Sequence, residues 1–135
     1  MLHALAITYA QWNFPTSAVS PSQAKDMLDA MTSGMAKNVQ NDFDWLERTL
    51  KEQEERLGRK DVWLVGETLS AADVMVEFSV DFILARGLGV MQGCEGVEFE
   101  EGGRWGRSKG WLERCHASEG YRRAVEKTGF TLHPE

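Results

Sequence analysis

The sequence is poor in cysteine: Cys94 and Cys115 are the only two among 135 residues. Two irregularly placed thiols exclude a disulfide framework. Without a C-x-x-C motif, neither a thioredoxin-type redox pair nor a structural zinc site is indicated. Reduced thiols in a cytoplasmic protein are the expectation. Histidine is as scarce: His3, His116 and His133 are scattered without metal-ligand spacing. No apolar run approaches the roughly 18 residues needed to span a membrane. The apolar start carries no Lys or Arg before Lys25, so it lacks the positive region of a signal peptide. The basic side is also light, 15 Lys+Arg against 21 Asp+Glu for a net charge of −6, which argues against nucleic acid as a partner. No G-x-S-x-G elbow occurs. Gly87-Leu88-Gly89 opens like a dinucleotide fingerprint, but Gln92 stands where the third glycine is needed and a helix precedes it.

What is present reads as one globular domain, with 42% hydrophobic and 27% charged residues. Leu2, Leu5, Tyr9 and Trp12 recur at helical spacing, and Phe14-Pro15 ends that first helix. Ser20-Pro21-Ser22-Gln23 is a capping box with proline at the first helical position. Ala24, Leu28, Met31, Met35, Val39, Phe43, Leu46 and Leu50 then follow at steps of three or four. They predict a long helix over 21–57, about 55 Å if unbroken, which Gly34 could kink or divide and Gly58 terminates. Asp42, Asp44, Glu47, Arg48, Lys51, Glu52, Glu54, Glu55 and Arg56 read as its solvated face.

Val62 to Gly66 is too short to decide between strand and buried loop. Ser70-Ala71-Ala72-Asp73 forms a second capping box, with Leu69 and Val74 placed to staple it. The following helix, over 70–86, is apolar nearly all round, a pattern that belongs in the middle of a bundle. Residues 87–106 hold seven glycines and four glutamates and read as a flexible acidic surface loop. Short helices around Trp111, Leu112 and Cys115, and from Ser118 to Gly129, complete an all-α chain. The Trp residues 12, 45, 63, 105 and 111 read as core or interface anchors.

Asp73, Glu77 and Asp81 lie at i, i+4 and i+8 and share one helix face. Such a row could hold a hard metal or move protons. The plainer reading has Asp73 as a cap and the other two bonded to neighbouring helices or water. Cys115 and His116 are adjacent and therefore diverge on a helix, a poor dyad. Composition and spacing therefore place no catalytic residue and no metal in the chain.

The stretch Trp63-Leu-Val-Gly66-Glu-Thr-Leu69-Ser70-Ala-Ala-Asp73-Val-Met-Val resembles the glutathione S-transferase C-terminal domain, at the turn and capping box that open its sixth helix. Phe43-Asp-Trp45-Leu-Glu47, Trp111-Leu-Glu-Arg114 and Ser118-Glu-Gly-Tyr121-Arg-Arg-Ala124 resemble that domain's fifth and final helices, with a fungal flavour. The resemblance implies a helical domain, residues 1–135, that begins inside the family's fourth helix. It implies conjugation of glutathione to electrophiles, with this domain walling the hydrophobic co-substrate pocket. Tyr9 and Trp12 would face that pocket. Nothing resembles the thioredoxin-like N-terminal domain, which binds glutathione and carries the activating residue. The chain alone is therefore expected to be inactive and to hold no cofactor. Its partners would be the absent domain or a second copy of itself, with no nucleic acid and no membrane. The alternatives are a stand-alone interaction module and a non-functional truncated product.

Overall fold

The computed structural model describes residues 20–86 and 97–132. Four helices appear in order: α1 (Pro21–Leu57), α2 (Ala71–Arg86), α3 (Gly106–Ala117) and α4 (Glu119–Thr128), with a 3₁₀ turn at Val97–Phe99 before α3. Among the described residues there is no strand, and the fold is all-α. No helix there is long and apolar enough to cross a membrane. The first helix expected from Leu2, Leu5, Tyr9 and Trp12 lies outside the described residues.

Local signals account for α1. The Ser20 hydroxyl accepts the Gln23 amide at 3.3 Å, and the Gln23 side chain accepts the Ser20 amide at 3.0 Å. Together they satisfy two of the donors a helix start leaves unpaired. At the other end Gly58 takes the left-handed conformation, φ 66°, and its amide donates to the Glu54 carbonyl. The helix runs unbroken through Gly34 for 37 residues. Of its stripe, Val39, Phe43, Leu46 and Leu50 are fully buried, at steps of four, three and four. Ala24, Leu28, Met31 and Met35, nearer the start, are only partly covered.

The centre of the packing is α3, which lies against α1, α2, α4 and the 3₁₀ turn. Its Ser108, Trp111, Leu112 and Cys115 are buried. The 70–86 helix does not fill that place. In α2 the buried face carries Asp73, Glu77, Val80, Asp81, Phe82 and Ile83, while Val74, Met75 and Phe78 are exposed. The expectation of a helix buried all round is corrected, and the reason lies in the partners of its carboxylates, described below.

A second correction concerns the Gly/Glu-rich stretch. Residues 87–96 lie outside the described part, but the remainder is anchored rather than loose. Trp105 is wholly buried, and its ring and those of Phe43 and Phe99 lie 5.0–5.5 Å apart by centroid, one pair edge-to-face. Such clusters add about 0.5–1.5 kcal/mol per pair beyond burial. The Trp105 amide donates to the Glu98 carbonyl and the Gly103 amide to the Glu100 carbonyl, folding the segment back on itself. Val62 and Leu64, left open between strand and loop, belong to a loop whose two apolar side chains reach the core.

Two glycines distinguish space from backbone need. A methyl group at Gly34 would meet nothing within 4 Å, whereas one at Gly106 would stand 2.7 Å from the Glu100 carbonyl oxygen. In urea melts, Gly34→Ala is expected to stabilise the domain by about 0.4–1 kcal/mol. Gly106→Ala is expected to destabilise it by about 1–3 kcal/mol.

Candidate functional site

The α2–α3 contact is built around carboxylates. Asp73 is completely buried. Its Oδ2 accepts the Ser70 amide at 2.9 Å and the Ser70 hydroxyl at 2.6 Å. Oδ1 accepts the Leu64 amide at 2.8 Å and the Trp111 indole Nε1–H at 2.9 Å. The Ser70 hydroxyl stands 3.5 Å from the Asp73 amide, and the Ser70 carbonyl accepts the Val74 amide, so Ser70 occupies the cap position of α2. One carboxylate thus ties the start of α2 to the loop before it and to the middle of α3. Leu69 and Val74, the expected staple, are both exposed, at 38% and 56%. Arg114 adds a second tie, donating to the Val62 carbonyl at 2.8 Å from α3.

One and two turns further along the same face lie Glu77 and Asp81. His116, from the last turn of α3, places Nε2 3.2 Å from Glu77 Oε1 and 3.5 Å from Asp81 Oδ1. The Tyr121 ring stacks on the imidazole at 4.5 Å. Burial pushes the Glu77 carboxyl above the ordinary range, Asp81 adds to that, and His116 opposes it. Burial raises the Tyr121 phenol, with Asp81 and Glu77 reinforcing it. The row of three acids therefore divides in role. Asp73 caps and cross-links, while Glu77 and Asp81 converge on an imidazole from another helix.

Cys115 is buried beside His116, and its thiol is pushed up to about 12, first by burial and then by the charges of Asp73 and Glu77. A thiol held protonated is a poor nucleophile. Burial and protonation both count against Cys115 as a nucleophile paired with His116.

The acidic face of α1 is more than a solvated surface. Trp105 precedes α3 without offering a side-chain cap. Glu47, from α1, supplies it: Oε2 accepts both the Ser108 amide and hydroxyl at 2.9 Å, and Oε1 accepts the Arg107 amide at 3.2 Å. Arg107 Nε donates to Glu54 at 2.8 Å. Asp44 Oδ1 accepts the Trp105 indole Nε1–H and Arg104 Nε, each at 2.8 Å, and Arg104 holds its carboxyl below the usual range. Asp44, Glu47 and Glu54, expected on the solvated face of α1, instead bind the start of α3. Their spacing of three and seven placed them on one stripe, and the uncapped basic start Arg104-Trp105-Gly106-Arg107 was the other half of the signal. An open groove beside this contact is lined mostly by charged groups, among them Glu54, Lys60, Arg107, Lys109 and Glu113. That lining does not suit a hydrophobic electrophile. Tyr9 and Trp12, the expected pocket-facing residues, lie outside the described part.

Compared with family models, curated proteins and solved structures, the chain finds no match.

In a Cys94→Ser background, Cys115 should resist labelling by a thiol-specific disulfide reagent at pH 8 while the domain is folded. It should react at the rate of an exposed thiol in denaturant. Fast labelling of the native protein would show that the thiol is neither buried nor protonated.

Proposed function

We propose that this chain is a helical domain of glutathione S-transferase type, whose role in a complete enzyme is to wall the co-substrate pocket. Conjugation of glutathione to an electrophile would then require a thioredoxin-like domain acting together with this one. The observation that carries the reading is the Asp73 arrangement. It lies within the stretch whose residues resemble the family, and it fastens the Trp63–Gly66 turn to the start of α2. No residue of the chain is assigned to chemistry.

A second reading, a stand-alone interaction module, is favoured by the exposed apolar face of α2. Met75 is 75% exposed and Phe78 52%. Contiguous apolar surface of this kind is commonly a contact site.

The test is enzymatic. The isolated chain should show no conjugation of reduced glutathione to 1-chloro-2,4-dinitrobenzene. The native polypeptide that carries this domain, isolated with an antibody against it, should show it. Turnover by the isolated chain would overturn the assignment of chemistry elsewhere. A native polypeptide that neither binds nor conjugates glutathione, together with a clean dimer of the isolated chain in light scattering, would favour the module.

A further inference from the structure

We propose that Glu77, Asp81 and His116 form a binding site for a divalent transition-metal cation, with Zn²⁺ the best-fitting member of that class. The inference rests on geometry alone and is independent of the transferase reading. The three ligand atoms lie within 4.8 Å of one another. Zinc binds imidazole nitrogen and carboxylate oxygen at roughly 2.0–2.2 Å in a tetrahedral arrangement, so two of its ligands stand about 3.3–3.6 Å apart. The edge from His116 Nε2 to Asp81, 3.5 Å, falls within that range, and the edge to Glu77, 3.2 Å, lies just below it. The third edge, between the two carboxylates, is no longer than 4.8 Å.

The surroundings fit a bound cation. Glu77 and Asp81 are 9% and 1% exposed, and both face the His116 imidazole from one side of α2. A dication bound by neutral imidazole balances the pair. Asp73, one turn before, is occupied by four donors and is not a further ligand. That leaves three protein ligands among the described residues, the number that zinc sites with an exchangeable fourth ligand use. The ligands sit on two packed helices, so folding sets their spacing before an ion arrives. The mixed nitrogen and oxygen donors favour zinc over the hard cations, which seek six or more oxygens.

Titration of the metal-free full chain with ZnCl₂ by calorimetry, with Co²⁺ absorption as a second readout, tests the site. One ion per chain is expected, with affinity at least tenfold weaker in Glu77→Gln, Asp81→Asn and His116→Gln variants that keep native circular dichroism. A His3→Gln/His133→Gln double variant should bind as the wild type does. Absence of zinc binding by the wild type would overturn the proposal. So would binding that survives unchanged in His116→Gln, or that is lost in the double variant.

Discussion

A single buried carboxylate organises this fold. Asp73 takes four donors from three places in the chain: the amide and hydroxyl of Ser70, the Leu64 amide and the Trp111 indole. A carboxylate sealed from water is costly unless its acceptor sites are filled, and here both oxygens are doubly used. The consequence is directional. Because Asp73 must face α3, so must Glu77 and Asp81 at i+4 and i+8, and the apolar Val74, Met75 and Phe78 turn outward. Hydrophobicity, spread nearly all round α2, sets no preferred rotation by itself.

The same device recurs at the other side of α3. Its first turn lacks a capping side chain, and Glu47 of α1 receives the orphaned amides of Arg107 and Ser108. Asp44 and Glu54 flank it with Arg104 and Arg107. A carboxylate is favoured at a helix start both by the free N–H groups and by the helix dipole. Thus α3 is held at its start by acids from α1 and along its length by acids from α2, with Trp105 and Trp111 each donating an indole N–H to one of them. This makes a twelve-residue helix the centre of the packing among the described residues.

What sequence could show and what it could not follows from range. The bounds of α1 were legible because every signal is local: the Ser20–Gln23 box, the three-four stripe and Gly58. Ser70 was legible as a partner of Asp73 for the same reason. Trp111 as the other partner was not, since the bond spans 38 positions. The centrality of α3 was hidden because its cap comes from Glu47, about 60 positions away. Residues 97–106 read as loose because glycine and glutamate dominate them, yet Phe99 and Trp105 bring the segment onto Phe43. His116 has no ligand nearby in sequence; Glu77 and Asp81, which it meets, are on another helix.

The transferase-type reading and the cation site both depend on this helix pairing, the first through the turn that Asp73 fastens and the second through the face it holds inward. The central claim is therefore that Asp73 is a tertiary cross-link and more than a cap. Comparing the unfolding free energies of Ser70→Ala and Asp73→Ala tests it most directly. Loss of the cap alone should cost about 0.5–2 kcal/mol. Loss of Asp73 orphans the Leu64, Ser70 and Trp111 donors at about 1–3 kcal/mol each. The account therefore predicts a cost of about 3 kcal/mol or more, up to loss of cooperative folding. Equal costs for the two variants, or an unchanged melting temperature for Asp73→Ala, would contradict it.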